Sequence, residues 1–181
     1  MVYLFLADGF EEIEALTPVD LLRRAGIEVT TVGIGSTTVT GSHGITVFAD
    51  MSQADATAHM GEDMEMVILP GGMPGTKNLD ASATVSAFLA VCRIKDIPVA
   101  AICAAPMILG KRGMLKDKNA VCYPGFEEYL EGATVLDQGV VRDGNIICGR
   151  AMGSAAEFAI EIIRLLRGDE AAKKIADSVL L

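Results

Sequence analysis

The amino-acid sequence predicts an α/β fold in which a mostly parallel β-sheet carries helices on both faces. Short, almost wholly apolar runs alternate with longer segments of helical periodicity, and such runs are typical of strands covered on both faces. The chain also opens in β-α-β order, with a strand at 2–7, a helix at 11–25 that stops before Gly26, and a strand at 27–33. Because crossovers of this kind are right-handed and join parallel strands, we expect a doubly wound sandwich.

The alternation of strands and helices continues along the rest of the chain. Residues 36–50 alternate and are rich in Thr, Val and Gly, which predicts a hairpin added to the sheet edge. A strand at 65–69, a helix at 79–95 and a strand at 99–102 follow. The remaining predicted elements are a helix after Pro106, short strands at 120–123, 133–142 and 145–149 with a turn at Asp143-Gly144, a helix opened by a capping box at Ser154 and Glu157, and a last helix from Asp169. Since no linker or repeat separates them, residues 1–181 are expected to form one domain.

The composition argues against several classes of function. A formal charge of −9 would repel phosphate backbones and anionic membrane surfaces, so we expect neither nucleic-acid nor membrane binding. No apolar run approaches the roughly 20 residues of a membrane span, and the acidic N-terminal segment does not resemble a signal peptide. The four cysteines form no CxxC pair, which favours a reducing cytoplasm, and the two histidines leave zinc without ligands at usable spacing. We therefore expect no metal.

Cys103 stands at the most informative junction of the chain. The strand at 99–102 passes into a helix with almost no loop, because the small Ala104 and the alanine after it permit a tight turn and Pro106 suits a first helical turn. A thiol placed there would meet free backbone N–H groups and the positive end of a helix dipole, and both favour the thiolate. We therefore interpret Cys103 as a nucleophile on a sharp turn. The other three cysteines are interpreted as buried core residues: Cys92, Cys122 and Cys148.

Glu14 is the predicted partner of this thiol. It belongs to the acidic run Glu11, Glu12 and Glu14, which follows the first strand at the same edge of the sheet as Cys103. Glu11 and Glu12 are interpreted as carboxylates at a helix N-terminus. A carboxyl beside a thiol would share one proton with it, and a protonated Glu14 would stabilise the thiolate by donating to sulfur. We therefore expect a Cys103 pKa below the usual value of about 8.5.

Two glycines after the strand at 65–69 are predicted to line the same crevice. Because Gly71 and Gly72 have no side chains, their backbone N–H groups could point at an oxyanion or an oxidised sulfur. Together with Gly75 they do not form a phosphate loop, because no lysine and hydroxyl pair follows at the required spacing. Nucleotide binding is not supported, and we expect no cofactor.

Four segments carry a family resemblance: DGFEEIEALTPVDLLRRAGIEVTTV (8–32), VILPGG (67–72), VAAICAAP (99–106) and EFAIEII (157–163). Together they resemble the ThiJ/PfpI superfamily, and most closely its branch that contains the parkinsonism-associated protein deglycase. The resemblance implies a flavodoxin-like sandwich, a homodimer and a cysteine prone to oxidation to the sulfinate. It also implies that Cys103 is the reactive cysteine, Glu14 its acidic partner and Gly72 the oxyanion glycine.

The sequence departs from the family pattern at two places. Tyr123 stands where some members carry a histidine near the cysteine, so a role in shaping the pocket is all that is expected of it. The protease-like branch has Cys-His-Gly at the turn, whereas this chain has Cys103 followed by Ala104 and another alanine. The general base of a Cys-His hydrolase is therefore missing.

The resemblance implies cofactor-free conversion of small reactive aldehydes, such as methylglyoxal to lactate, or removal of early glyoxal adducts from thiols and amines. The alternative is an oxidative-stress sensor or redox-regulated chaperone in which oxidation of Cys103 is the function, because thiolate character also sets the oxidation rate. The sequence does not separate these two or name the physiological substrate. For His43, in the 36–50 hairpin, two interpretations stay open: its side chain is solvated, or it reaches into the crevice of a dimer partner that holds the reactive cysteine.

Overall fold

The computed structural model describes residues 1–61 and 63–181, and it confirms the predicted α/β class. The strands are β1 (Val2–Leu6), β2 (Val29–Gly33), β3 (Thr38–Thr40), β4 (Thr46–Phe48), β5 (Met51–Ser52), β6 (Met66–Leu69), β7 (Val99–Ile102), β8 (Asn119–Ala120), β9 (Thr134–Val135), β10 (Val140–Asp143) and β11 (Ile146–Gly149). The helices are α1 (Glu12–Arg24), α2 (Gln53–Ala58), α3 (Gly75–Ala81), α4 (Ala83–Lys95), α5 (Pro106–Lys111), α6 (Ala155–Arg167) and α7 (Asp169–Ser178), with 3-10 turns at Glu127–Tyr129 and Met152–Ser154.

The central sheet places four strand ends side by side. Its seven strands run in the order β10-β11-β7-β6-β1-β2-β5, and all neighbours are parallel except the β10–β11 hairpin. The carboxyl ends of β1, β6, β7 and β11 therefore lie at one edge, where parallel sheets with helices on both faces bind their ligands. Cys103 and the glycines after β6 lie at that edge.

The hydrophobic core has two layers, one on each face of the sheet. Tyr3 and Phe5 of β1 point to one face and contact the ring of Phe88 edge-on, with ring centroids 5.1 and 5.0 Å apart. Leu4 points to the other face, where Phe158 of α6 lies in the second cluster. This alternation explains why β1 is apolar at every position: both of its faces are covered.

The structure differs from the predictions around the hairpin and the middle helix. Within residues 1–61 and 63–181, strands β3 and β4 pair only with each other, so the 36–50 hairpin is a separate two-stranded sheet, and β5 forms the edge of the main sheet. The helix predicted at 79–95 is two helices, because Ser82 adopts an extended conformation and its hydroxyl accepts from the Val85 N–H at 3.3 Å to begin α4. Helix α2 was not predicted.

Two predictions in the C-terminal half are wrong in detail. The segments predicted as strands at 120–123 and 133–142 contain only the short β8 and β9 pair and β10, so Cys122 lies outside a strand. Ser154 does not cap α6, because it already lies in a 3-10 turn with ψ of 6° rather than in the extended conformation that a cap requires. The turn at Asp143-Gly144 and the helix from Asp169 are confirmed. Among the described residues, no helix combines the length and apolar character needed to cross a membrane.

Candidate active site

Cys103 occupies a strained position at the end of β7. Its φ of +65° is in the left-handed region, which residues other than glycine rarely adopt. The backbone holds it there from both sides: the Cys103 N–H donates to the carbonyl of Gly149 at 2.9 Å, and its carbonyl accepts from the Tyr123 N–H at 2.8 Å. The predicted sharp strand-to-helix turn at Cys103 is therefore confirmed, and the structure shows in addition that its backbone is strained.

The sulfur of Cys103 lies among backbone donors. The N–H groups of Gly72 and Ala104 donate to it, and the side chain of Glu14 is hydrogen-bonded to it. Helix α5 has only six residues and begins at Pro106, so these individual N–H groups, rather than a long helix dipole, face the sulfur. Backbone donors of this kind stabilise negative charge on sulfur or on an atom bound to it.

Glu14 is buried beside Cys103, with only 1% of its surface exposed. Its Oε2 accepts from the Gly71 N–H at 3.0 Å, and the Met152 N–H also donates to the carboxyl. Sequence reasoning missed Met152. Because it follows the end of β11, which pairs with β7, its position at the same sheet edge was the signal that could have revealed it.

The two side chains hold their protons more tightly than usual. Burial raises the pKa of Glu14 to about 7, and the negative charge of Glu11 acts in the same direction against the hydrogen bonds that lower it. Burial likewise raises the pKa of the Cys103 thiol to about 12, with the charge and hydrogen bond of Glu14 adding to it. The predicted fall of the thiol pKa is therefore wrong, because burial and a neighbouring carboxylate outweigh the two N–H donors. Glu14 is the group of the pair that titrates near neutrality.

Any side chain at Gly71 or Gly72 would collide with the atoms of the site. A Cβ on Gly71 would lie 2.5 Å from Glu14 Oε2 and 2.6 Å from Cys103 Cβ. Gly72 has a φ of +90°, and a Cβ there would lie 2.4 Å from the Glu11 nitrogen. Glycine at both positions lets the backbone pass between the start of α1 and the nucleophile.

The other predicted pocket residues have lesser contacts with the thiol. Ala104 is buried and contributes its N–H. Tyr123 is 47% exposed, and its backbone N–H donates to the Cys103 carbonyl. Its ring meets that of Phe126 edge-on, with the ring centroids 6.5 Å apart. The remaining cysteines are confirmed as buried, and burial raises their pKa values to about 11 or 12: Cys92, Cys122 and Cys148.

The neighbouring carboxylates have distinct structural roles. Glu11 is the N-cap of α1, and its Oε2 accepts from the Glu14 N–H at 2.7 Å. Glu12 is buried and holds the β3–β4 turn: its Oε1 accepts from the His43 N–H at 2.7 Å, and its Oε2 lies 2.9 Å from His43 Nδ1. His43 therefore contacts the acidic run of its own chain, with its side chain 71% exposed. Glu11, Glu12 and His43 each bring a potential metal-ligand atom within 4.8 Å of the others, although Glu11 and Glu12 already serve as cap and anchor.

The comparisons with known proteins identify the class to which this fold and site belong. The sequence profile of the DJ-1/PfpI family matches residues 1–165, so the chain is a member of that family. Protein dj-1beta of Drosophila melanogaster is 36% identical over 179 residues, covering 97% of this chain and 94% of the relative. The Parkinson disease protein 7 homolog of Danio rerio is 34% identical over 180 residues, with 97% and 94% covered.

Solved structures show the same fold. The crystal structure of Drosophila melanogaster DJ-1beta superposes with a TM-score of 0.93 at 34% identity, covering 99% of this chain and 97% of the other. An oxidized Toxoplasma gondii DJ-1 gives a TM-score of 0.93, again at 34% identity, with 99% and 97% covered. These matches confirm the predicted resemblance and the flavodoxin-like architecture.

Proposed function

We propose that this protein is a cofactor-free glyoxalase that converts small 2-oxoaldehydes, such as methylglyoxal, to 2-hydroxy acids. The same chemistry would release such aldehydes from early adducts on thiols and amines. One observation carries the proposal: the buried carboxyl of Glu14 is hydrogen-bonded to a thiol on a strained, partly exposed turn. Burial raises the pKa of this carboxyl to about 7. A general base works best when its pKa lies near the pH of the reaction.

The first step is addition of the thiol to the aldehyde. Glu14, as the carboxylate, takes the Cys103 proton while sulfur bonds to the aldehyde carbon, and then returns that proton to the new alkoxide. The product is a hemithioacetal, and Glu14 is again a carboxylate. Because the proton moves as the bond forms, this step needs no preformed thiolate, which suits the raised pKa of Cys103.

The second step moves a hydrogen between two carbons. Glu14 removes the proton from the former aldehyde carbon, and the electron pair forms an enediolate with its negative charge on the former ketone oxygen. That oxygen then takes the proton of the neighbouring hydroxyl, so the charge moves to the former aldehyde oxygen. Glu14 then delivers the proton to the former ketone carbon, which gives a thioester of the 2-hydroxy acid. Water hydrolyses the thioester, releasing the acid and regenerating the thiol. The aldehyde carbon is oxidised and the ketone carbon reduced, so no external oxidant or reductant is needed.

A second candidate function is redox sensing, alone or as a redox-regulated chaperone. Cys103 is partly exposed while the other cysteines are buried, and the Gly72 and Ala104 N–H groups could hold the oxygens of an oxidised sulfur. Oxidation of a structural relative is known from the Toxoplasma protein. All four cysteines are free thiols here, which fits our proposal of a cytoplasmic location.

We further propose that the protein acts as a homodimer. Three large apolar side chains of the β3–β4 hairpin and the start of α1 are exposed: Phe48 by 81%, Ile45 by 53% and Ile13 by 46%. Exposed apolar surface, where it is contiguous, is typical of protein interfaces. Light scattering at micromolar concentration should give twice the mass of the chain, and a monomer there would contradict the proposal.

Turnover of methylglyoxal without glutathione tests the enzyme reading. Wild type, Cys103→Ser and Glu14→Gln are purified identically, so the first variant measures contaminating glyoxalase. We expect saturable lactate formation in wild type that is lost in both variants, while Gly153→Ala, where an added Cβ meets nothing within 4 Å, retains it. Equal rates in wild type and Cys103→Ser would reject the enzyme and leave redox sensing as the better reading.

A further inference from the structure

We propose that Glu11 makes the Cys103 site select its reaction partners by charge, favouring neutral or cationic carbonyl compounds over anionic ones. This inference extends the proposed function by naming its substrate class. It concerns any reagent that approaches the thiol, so it is testable whether or not the protein turns over aldehydes.

Glu11 places a carboxylate close to Glu14, the hydrogen-bonding partner of the nucleophile, and its charge raises the pKa of Glu14. The Glu11 N–H donates to the Gly71 carbonyl at 2.9 Å, and its nitrogen lies against Gly72, whose own N–H donates to the sulfur. Its carboxylate is tied down because Oε2 accepts from the Glu14 N–H at 2.7 Å, and only 14% of its side chain is exposed. The Glu11 side chain is therefore not free to rotate its carboxylate away when a substrate binds.

The described surroundings offset that charge only in part. The nearest described basic side chain is His43, whose Nδ1 lies 4.0 Å from Glu11 Oε1 but only 2.9 Å from Glu12 Oε2. When protonated, His43 therefore pairs mainly with Glu12. The groups that hydrogen-bond to the sulfur include two neutral N–H donors and the acidic Glu14, none of them a cation. The chain as a whole carries a formal charge of −9. An anion approaching Cys103 is therefore repelled locally and at long range.

The expected size of the selection follows from Coulomb's law. A unit charge about 6 Å from the arriving anion, at an effective dielectric constant of about 40, changes the rate about tenfold. Glu14 adds to this whenever it is ionised. Binding of small aldehydes without a carboxylate or phosphate escapes the penalty, because their polar atoms are uncharged carbonyl oxygens, which N–H groups can bind.

Alkylation of Cys103 by iodoacetamide and by iodoacetate measures the selection directly. The two reagents are nearly isosteric and differ in charge, and the ratio of their rates at one pH is independent of the thiolate fraction. The ratio is compared with that of N-acetylcysteinamide, an uncharged small thiol, and mass spectrometry confirms that Cys103 is the labelled residue. We expect the wild-type ratio of iodoacetamide to iodoacetate to exceed the reference by about tenfold.

Three variants assign the effect. Glu11→Gln removes the charge but keeps an oxygen to accept from the Glu14 N–H, and we expect the ratio to fall several-fold toward the reference. Glu28→Gln makes the same change at an exposed residue before β2, at the amino edge of the sheet, and should leave the ratio unchanged. His43→Gln removes the nearest cation and should leave the ratio equal or higher. A wild-type ratio equal to the reference, or equal ratios in wild type and Glu11→Gln, would overturn the proposal.

A matched pair of aldehydes extends the test to turnover. 4-Carbamoylphenylglyoxal and 4-carboxyphenylglyoxal have the same shape, and kcat/KM should favour the neutral compound in wild type and less so in Glu11→Gln. Selective alkylation without turnover of either aldehyde would reject the proposed glyoxalase and leave charge selection standing. Turnover of both aldehydes at equal kcat/KM would reject charge selection and leave the glyoxalase standing.

Discussion

Replacing Glu14 by Gln should make Cys103 a stronger acid. The wild-type thiol has its pKa raised to about 12 by burial, by the charge of Glu14 and by their hydrogen bond. Gln removes the charge and keeps a group able to donate to sulfur. Two unit charges about 4 Å apart interact by about 4 kcal/mol at an effective dielectric constant of about 20, which corresponds to about a thousandfold change in the thiol–thiolate equilibrium.

Ultraviolet absorbance of the thiolate measures this during a pH titration. Subtracting the same titration of Cys103→Ser removes the signal of the three buried cysteines without altering them. We expect the thiolate of Glu14→Gln to form at a clearly lower pH than that of wild type. The opposite result, in which wild type forms its thiolate near neutral pH and Glu14→Gln forms it no earlier, would show that Glu14 keeps the proton and donates it to sulfur. The assignment of Glu14 as the base in the first chemical step would then be withdrawn.

Three further outcomes are expected. The pKa of Glu14 rises from 4.5 to about 7 on folding, so its contribution to stability is present at acid pH and lost as the pH rises through 7. Urea unfolding should therefore find Glu14→Gln more stable than wild type by about 3 kcal/mol above pH 7 and no more stable at pH 4. Equal stability of the two proteins at both pH values would contradict the buried charge. Gly71→Ala should abolish alkylation of Cys103 and lower stability, whereas Gly153→Ala, which meets nothing within 4 Å, should do neither. Cys103→Gly should be more stable than Cys103→Ala by about 1 kcal/mol, because glycine accepts the φ of +65° without strain, and an equal midpoint of unfolding would show that the turn is unstrained.

Much of the fold could be predicted because both faces of the sheet are covered. Strands β1, β6 and β7 are buried at every position, so each reads as an unbroken apolar run between turn residues. The segments that were wrongly predicted lack this signal. Strands β8 and β9 are two residues each, too short for any periodicity to appear, and the break between α3 and α4 depends on one capping serine.

The candidate site was predictable where local chain geometry dictates it. A cysteine between a buried strand and a proline-led helix has to lie on a tight turn, and glycines after a neighbouring parallel strand have to lie at the same edge. For Glu14, sequence position placed the residue at that edge, but its hydrogen bond to Cys103 joins side chains that are far apart in the chain. The Met152 N–H and the Glu12–His43 contact also depend on residues brought together only by folding.

By itself, the sequence determined the α/β class, the turn that presents Cys103 and the acidic segment that faces it, because these follow from hydrophobic periodicity and from the residues that begin and end each element. Only the tertiary structure decided the proton affinities of the site. The pKa of a group depends on how completely water is removed from it and on which charges lie within a few ångströms, and both are set by packing. That is why a thiol expected to be acidic is held by burial and by Glu14 in its protonated form, and why the carboxyl beside it titrates near neutrality.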